Sequence, residues 1–202
     1  MDFADAPRLH NDVVTLEPLG TEHTEGLIAA VRDGDLWRTW YTNVPQPDAV
    51  PAEIDRRLAL QHAGTSAQWV IRRNDTGAVC GVTTYLNLAP EHRRLEIGST
   101  WMARSAQGAG INPAAKLLLL TRAFDTLSCN VVELRTHWHN QQSRAAIARL
   151  GAKQDGILRN HMVWADGSLR DTVVFSIVAT EWPAVRSGLQ HRLADHARRG
   201  RG

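Results

Sequence analysis

Short runs of β-branched, aromatic and apolar residues, separated by turn residues, predict seven β-strands along the chain. In one of them, Arg93–Met102, the side chains of Glu96 and Gly98 share a face of the strand because successive side chains alternate. The predicted strands are Val13–Leu16, Gln68–Arg73, Val79–Leu86, Arg93–Met102, Val131–Thr136, Ile157–Val163 and Asp171–Val178.

Apolar residues at helical spacing predict five helices between these strands. The helices are expected from near Glu22, over Ala52–His62, after the turn at Gly110 to about Leu127, from Asn140 to Leu150, and from Thr180 to about Arg198. Hairpins come first, and a strand–helix–strand–helix unit follows. This order predicts a single α/β or α+β domain and argues against a Rossmann array, in which more strands alternate with helices.

The segment from Trp101 to Phe124 leads from a predicted strand through a small-residue turn into an apolar helix. The turn contains Gly108 and Gly110, and Asn112 and Pro113 are expected at the N-cap and the first helical position. Such a turn directs several backbone N–H groups towards one point at the positive end of a helix. The sequence therefore predicts an anion site here, and phosphate is the usual anion.

Composition and charge narrow the class of protein. The chain has 202 residues, of which 43% are hydrophobic, and its net charge of +2 is too small to indicate nucleic-acid binding. Apolar runs are too short for a membrane span, and no signal-peptide pattern opens the chain. Cys80 and Cys129 lie in apolar contexts as expected free thiols, which suits a reducing cytoplasm.

Three phosphate-binding motifs can be tested on the glycine turn. A Walker A string is absent, and a dinucleotide fingerprint lacks its third glycine. The shorter x-x-G-x-G/A loop, which holds a pyrophosphate through main-chain N–H groups alone, fits Ala106–Gly110. The G-x-G pattern by itself is equally typical of a structural turn. The choice between a pyrophosphate loop and a structural turn therefore depends on the neighbouring segments.

Those segments resemble the GNAT acyltransferase family, and within it the RimJ/RimL-type branch. The resemblance rests on the blocks Leu95–Trp101, Gln107–Asn112, Ala115–Leu119, Asn140–Ile147, Leu150–Ala152, Arg159–Met162, Asp166–Ser168 and Arg170–Ser176. It implies one domain over residues 10–183 with a mixed, mostly antiparallel, V-splayed sheet flanked by helices. Residues 184–202 would then form a C-terminal helix and basic tail. It also implies acetyl-CoA as donor and direct transfer to an amine.

The resemblance also implies a set of residues that bind the cofactor. Gln107 to Asn112 would hold the pyrophosphate by main-chain donors, and the main chain at Trp101 and Met102 would contact the pantetheine arm. The family loop, Q/R-x-x-G-x-G/A, begins with glutamine or arginine, whereas this chain has Ser105 at that position. The neighbouring Arg104 is expected to take over the role of that first residue. The full set is Trp101, Met102, Arg104, Gln107, Gly108, Ala109, Gly110, Ile111, Asn112, Asn140 and Ser143.

Glu96 is the expected general base, because an ammonium must lose a proton before it attacks and a carboxylate can accept that proton. The alternative is a structural ion pair of Glu96 with Arg93, Arg94 or Arg135. Ser143 is the expected general acid. Many members of the family place a tyrosine where Ile147 stands, so the alternative is a CoA thiolate that leaves unassisted.

Aromatic residues before a proline-rich loop, namely Trp37, Trp40 and Tyr41, are expected either to shape the acceptor site or to pack between helices. His137 and His139 are interpreted as strand-end surface residues, and no metal is predicted because no third ligand completes the pair. The acceptor is a primary amine, either a protein N-terminus or a small molecule, and the acyl group could be larger than acetyl. A non-catalytic CoA-binding or protein-interaction module is the alternative function, and a homodimer is compatible with the sequence.

The basic end of the chain, Arg198-Arg199-Gly200-Arg201, is expected to be a solvated tail, with a ribosome contact as the weaker alternative. No nucleic-acid or membrane partner is predicted.

Overall fold

The computed structural model describes residues 2–164 and 166–199. Its eight strands are β1 (Leu9–His10), β2 (Val14–Pro18), β3 (Ala67–Arg73), β4 (Val79–Ala89), β5 (Arg94–Met102), β6 (Val131–His137), β7 (Lys153–Val163) and β8 (Leu169–Val178). The helices are α1 (Thr24–Arg32), α2 (Val50–His62), α3 (Ile111–Thr121), α4 (Gln141–Leu150) and α5 (Trp182–Arg199). A π-helical turn, Arg122–Thr126, follows α3.

All eight strands form one open sheet in the order β1-β2-β3-β4-β5-β6-β8-β7. Every neighbouring pair is antiparallel except β5 and β6, which are parallel and are connected through α3. The sheet is therefore mixed and mostly antiparallel, and helices flank it, as the sequence predicted. The elements also follow the predicted order, with β1 as an additional two-residue strand.

Strand β5 separates from β6 after three residues. The two strands pair only at Arg94–Val131, Leu95–Val132 and Glu96–Glu133, and in the described part of the chain no strand pairs with that edge of β5 beyond Glu96. The other edge of β5 stays paired with β4 as far as Met102. The sheet consequently splits into a V whose apex lies at Glu96.

A β-bulge interrupts β5 just beyond the apex. Val82 of β4 pairs with Trp101 and Thr84 pairs with Gly98, so the single residue Thr83 lies opposite two residues of β5. Ser99, one of those two, has a φ of 44°, in the left-handed region that non-glycine residues rarely adopt. The bulge changes the direction of the unpaired edge of β5 and is a feature typical of functional sites.

The predicted start of α3 was wrong by two residues. Gly110, with a φ of 76°, is the N-cap, and the helix begins at Ile111, so Asn112 and Pro113 lie inside the first turn. Gly110 takes this position because its left-handed backbone suits a residue without a Cβ. The outcome for the predicted anion site is unchanged, since the glycine loop still ends at a helix N-terminus.

The hydrophobic core lies between the sheet and the helices and includes the side chains of Leu95, Ile97, Val132 and Leu134 from the two strands of the V. Cys80 and Cys129 are buried free thiols, as predicted. None of the helices in the described ranges is both long and apolar enough to cross a bilayer.

Candidate active site

The carboxylate of Glu96 lies at the apex of the V and is almost completely buried, with a relative exposure of 7%. Its Oε2 atom accepts a hydrogen bond of 2.7 Å from Asn87 and lies 3.4 Å from the Arg135 guanidinium. No described residue donates to Oε1. The catalytic and structural interpretations of Glu96 therefore both find support, since one oxygen is paired and the other is free.

The free oxygen faces Gly98, on the same side of β5 as predicted. A Cβ placed at position 98 would lie 2.8 Å from Glu96 Oε1 and 2.9 Å from a methyl group of Leu86. Only glycine leaves this space open. The space beside Oε1 is consequently the point in the structure where a small acceptor group could approach the carboxylate.

Burial raises the pKa of the Glu96 carboxyl above its usual range, and the nearby Glu133 carboxylate contributes to the increase. The charges of Arg135 and Arg170 and the hydrogen bond from Asn87 act in the opposite direction. A raised pKa makes a carboxylate a better proton acceptor, because basicity and pKa rise together.

The glycine loop lies between the open end of β5 and helix α3. Gly108 and Gly110 have φ angles of 79° and 76°, which only residues without a Cβ adopt without strain. The N–H groups in the first turn of α3 have no partners within the helix. Backbone donors of this kind, at a glycine loop that is partly exposed, suit a pyrophosphate.

The side chain of Gln107 connects three elements around this loop. It donates to the Met102 carbonyl at the end of β5 (3.1 Å) and accepts from Gln142 of α4 (3.0 Å). The predicted main-chain role of residues 107–112 is thus accompanied by a side chain that fixes the loop. Sequence reasoning did not identify Gln142, although it follows the predicted cap Asn140 by only two positions.

Ser105 is exposed, but both its hydroxyl and its backbone N–H are already hydrogen-bonded within the protein. Its hydroxyl donates to Asp33, just after α1, at 2.5 Å, and its backbone N–H donates to the same carboxylate at 3.2 Å. The neighbouring Arg104 is exposed and forms no ion pair with a described residue. The guanidinium of Arg104 is therefore free for a ligand, which agrees with its expected role as the substitute.

Helix α5 brings a histidine to the glycine loop. A Cβ at Gly110 would lie 2.7 Å from Cδ2 of His196, so the imidazole packs directly against the N-cap of α3. His196 is separated from the loop by more than 80 positions in the sequence. No local pattern could have linked the two, because the contact depends on how α5 packs against α3.

Helix α4 begins as predicted. The Asn140 side chain accepts a hydrogen bond of 2.9 Å from the backbone N–H of Ser143 and so caps the helix, and Gly151 ends it with a φ of 102°. The Ser143 hydroxyl has no partner among the described residues. Ile147 is buried in the core and has no chemistry to contribute.

Two of the three predicted acceptor-site aromatics cluster with histidine rings. The ring of Trp40 lies 5.2 Å from that of His137 and 5.5 Å from that of His139, and Tyr41 contacts both Trp40 and His137. Trp40 is 60% exposed. Trp37 instead packs against the hydrophobic core. Trp40 and Tyr41 thus form an aromatic wall beside the end of β6.

The prediction that His137 lies on the surface was wrong, whereas His139 is exposed. His137 ends β6 but its ring is buried among Trp40, Tyr41 and Trp164. Burial lowers the pKa of His137, and the charge of Arg170 lowers it further. Within the described ranges, no three metal-binding side chains come together.

Trp101 and Met102 are buried at the end of β5, and the Trp101 indole N–H has no hydrogen-bond partner in the part of the chain that the structure describes. The Trp101 side chain belongs to the hydrophobic core. At the end of the chain, Arg198 lies in α5 and pairs with Asp195. Gly200 and Arg201 of the predicted basic tail lie outside the described residues.

A substitution at Gly110 tests the glycine loop. We expect Gly110→Ala to weaken acetyl-CoA binding about tenfold, because the new methyl group would meet His196 and the left-handed φ would be strained by ~1 kcal/mol or more. The measurement is a titration of acetyl-CoA by isothermal calorimetry. Gly77→Ala is the matched control, since Gly77 has a φ of 70° in a remote turn with open space around it. Equal binding by the two variants would contradict a role for this loop.

The candidate site combines a strand that departs from its parallel neighbour, a bulge, a glycine loop at a helix N-terminus and a buried carboxylate. This arrangement is the one expected of a protein that binds an elongated, phosphate-bearing ligand beside an acid–base group. The family model for the acetyltransferase (GNAT) domain matches residues 14–153. The chain belongs to the GNAT acetyltransferase family, as its resemblance predicted.

Three relatives illustrate the similarity. YdaF of Bacillus subtilis strain 168, whose name proposes a ribosomal N-acetyltransferase, is 35% identical over 106 residues, which are 52% of this chain and 57% of YdaF. The chain thus matches little more than half the length of that relative. A GCN5-related N-acetyltransferase from Brucella melitensis is 30% identical, with a TM-score of 0.83 over 94% of this chain and 86% of that one. RimJ of Mycobacterium smegmatis, in complex with CoA-disulfide, is 23% identical and has the same fold, with a TM-score of 0.79 over 95% and 97% of the chains. The names of YdaF and RimJ agree with the predicted RimJ/RimL-type branch.

Proposed function

We propose that this chain is an N-acetyltransferase that uses acetyl-CoA to acetylate a primary amine by direct attack in a ternary complex. The observation that carries the proposal is the position of Glu96. Its free Oε1 faces an open space at Gly98, and it lies where β5 leaves β6. The carboxylate and the unpaired edge of β5 are therefore adjacent, as a reaction between an amine and a ligand held along that edge requires.

The groups present fit acetyl-CoA. Backbone donors from Gly108 to Ile111 suit its pyrophosphate, and the exposed guanidinium of Arg104 adds positive charge nearby. The unpaired edge of β5, from Ile97 to Met102, offers main-chain groups to an extended pantetheine arm. A donor N–H at the bulge would stabilise negative charge on the thioester oxygen during attack.

In this proposal Glu96, directly or through a water, accepts a proton from the acceptor ammonium. The neutral amine nitrogen then attacks the thioester carbonyl carbon, the C–N bond forms, and the C–S bond breaks as CoA leaves as its thiolate. As the C–N bond forms, the nitrogen releases its second proton. The Ser143 hydroxyl passes a proton to the thiolate and takes up that released proton, so the serine ends the step neutral. Asn140 uses its Oδ1 as the helix cap, which leaves its amide N–H groups for the pantetheine arm.

The acceptor stays proposed as a protein N-terminal α-amine or a small-molecule amine, bound beside Trp40 and Tyr41. YdaF and RimJ favour a protein N-terminus by analogy, but fold alone does not fix the acceptor. We also propose a cytoplasmic location, for which the two buried free thiols are the support.

Calorimetry with acetyl-CoA, followed by thiol release with a panel of amines and peptides, tests the proposal. We expect micromolar binding and turnover with at least one class of amine. Absence of acetyl-CoA binding contradicts the proposal entirely. Binding without turnover on any amine favours a non-catalytic CoA-binding module. Mass spectrometry of the products identifies the acceptor, and a comparison of acetyl-CoA with longer acyl-CoA donors defines the acyl group.

Ser143→Ala tests the general acid. We expect kcat to fall no more than about tenfold, since a thiol with a pKa of ~8.5 is a tolerable leaving group, while the KM for acetyl-CoA changes little. Steady-state thiol release at saturating acceptor measures the effect. Ser187→Ala is the control, because Ser187 is exposed on α5 and bonds only to the Pro183 carbonyl. A wild-type kcat in Ser143→Ala assigns the protonation of the thiolate to solvent.

A further inference from the structure

Arg170 lies at the edge of the candidate acceptor site, near the start of β8. Two positions further along that strand, Thr172 pairs with His137 of β6, so Arg170 and Thr172 share the face of the sheet on which His137 lies. Its charge acts on the titration of both Glu96 and His137. The guanidinium is therefore on the His137 side of the sheet, and its charge reaches both the His137 ring and the Glu96 carboxylate.

The Arg170 guanidinium has no anionic partner among the described residues. Its carbon lies 5.3 Å from the centre of the Trp164 ring, which fixes its orientation, and its Nε atom is buried without an acceptor. Burial lowers the pKa of Arg170, and only the charge of Glu96 opposes the effect. A half-buried guanidinium without an acceptor costs free energy, because its hydration is lost without replacement.

Three other arginines in the neighbourhood of Glu96 and Arg170 pair with carboxylates. Arg94 and Arg135 both pair with Glu133, at 2.8 Å and 2.7 Å, and Arg135 also lies close to Glu96. On the β7–β8 hairpin, which also carries Arg170, Arg159 pairs with Asp171 at 2.6 Å. Since Arg135 already supplies a positive charge beside Glu96, a second arginine is not needed to keep that carboxylate ionised. Unlike these three, Arg170 has no carboxylate partner in the described part of the chain and stays available to a ligand.

We infer that Arg170 binds a carboxylate carried by the acceptor, so that the preferred substrates are primary amines with a carboxylate close to the amino group. The inference rests on the proposed acetyltransferase function. The planar guanidinium fork matches a carboxylate in bidentate geometry, and the Trp164 ring holds the fork in place. The amine would then lie towards Glu96 and the carboxylate towards Arg170, an arrangement that orients the acceptor for attack.

Matched acceptor pairs that differ only in the carboxylate test this inference. The pairs are β-alanine with β-alaninamide, and serine-based dipeptide amides with either glutamate or glutamine at the second position. We expect the wild-type kcat/KM to favour the acidic member at least tenfold. Arg170→Gln should reduce that preference to less than twofold while the Kd for acetyl-CoA stays unchanged. Arg170→Lys should retain part of the preference, because the charge remains and the fork is lost.

Arg159→Gln is the matched control, since it removes one positive charge from the same hairpin at an exposed, ion-paired position. It should keep the wild-type preference. Thermal unfolding checks that all variants are folded. If Arg170→Gln lowers kcat/KM equally for acidic and neutral acceptors, the inference is overturned and Arg170 is assigned to the positioning of Glu96. Equal wild-type rates on both members, or turnover of neutral amines alone, would overturn it as well. A protein that acetylates no amine contradicts the proposed function itself.

Discussion

Glu96→Gln is expected to lower kcat by a factor of about 10²–10⁴ while acetyl-CoA still binds with its wild-type Kd. Glutamine keeps the shape of the side chain and can still pair with Asn87, but its amide cannot accept the proton from the acceptor ammonium. Binding is spared because the predicted contacts to the cofactor lie along the outer part of β5 and the glycine loop. Thiol release at saturating substrates and calorimetry measure the two effects separately.

The pH profile provides a second and independent readout for Glu96. Only the ionised carboxylate acts as a base, so kcat/KM should rise with pH through the pKa of Glu96. Since burial raises that pKa, the midpoint should lie above the ordinary value for a glutamate, and this acidic limb should disappear in Glu96→Gln. A variant that retains both the wild-type kcat and the acidic limb would falsify the assignment of Glu96 as general base.

Glu133→Gln is the matched control, because it removes the same charge from the neighbouring residue in the sheet register. Glu133 raises the pKa of Glu96 through repulsion of like charges, and it also holds Arg135 at 2.7 Å. Its removal should shift the acidic limb to lower pH and leave kcat at the plateau largely intact. Glu96→Gln therefore lowers kcat and removes the acidic limb, whereas Glu133→Gln keeps kcat and shifts the limb, although each substitution removes one carboxylate.

Lys116→Met is expected to stabilise the protein at pH 7 by roughly 2–4 kcal/mol. Lys116 lies in α3 and has a relative exposure of 5%. Its ammonium nitrogen donates to Thr100 at 2.7 Å and to Thr83 at 3.2 Å, and no carboxylate pairs with it in the described part of the chain. Two hydroxyl acceptors satisfy the two N–H groups of a neutral amine but leave the third N–H of an ammonium unpaired.

Burial lowers the pKa of Lys116 to about 7 from an ordinary value of 10.5. Above pH 10.5 the lysine is neutral in both the folded and unfolded states and has no effect on stability. As the pH falls towards 7, the unfolded chain binds a proton that the folded protein does not, so Lys116 progressively destabilises the fold. Below about pH 7 the penalty is constant. Wild-type stability should therefore rise with pH across this window relative to Lys116→Met.

Urea unfolding of wild type and of Lys116→Met between pH 7 and 10 gives the difference between their free energies of unfolding. The difference is needed because burial raises the pKa values of Cys80 and Cys129 to about 11, and these thiols destabilise both proteins as the pH rises. The chain has only one other lysine, Lys153, which is exposed and pairs with Glu181, so Lys153→Met is the control. A constant difference between wild type and Lys116→Met over this range would contradict the prediction.

Lys116 also bears on the site, because it contacts the bulge in β5 from one face of the sheet. Arg57 of α2 contacts the bulge from the other face of the sheet. Its guanidinium donates to the Thr84 hydroxyl at 2.9 Å and to the Ser99 carbonyl at 3.4 Å. Thr83 and Thr84 are consecutive in β4, so their side chains point to opposite faces. In Lys116→Met the hydroxyls of Thr83 and Thr100, 2.8 Å apart, can still pair with each other.

The sequence by itself determined the order of the elements, the mixed sheet, the glycine loop before α3, the Asn140 cap and the family. These features depend on local patterns, such as glycine at positions of positive φ, a capping side chain three residues before its donor, and apolar periodicity. It also placed Glu96 beside Gly98, since residues two apart in a strand share a face.

Only the tertiary structure decided how these pieces meet. The separation of β5 from β6 after Glu96 and the contact of His196 with Gly110 depend on residues distant in the sequence. So do the burial of His137 and Lys116 and the lack of a carboxylate partner for Arg170 among the described residues. Lys116 shows the physical reason most clearly. In the sequence it is a charged residue before an apolar run, and its desolvation depends entirely on the two strands against which α3 packs. Local pattern defined which groups the site contains, whereas packing fixed their charges and partners.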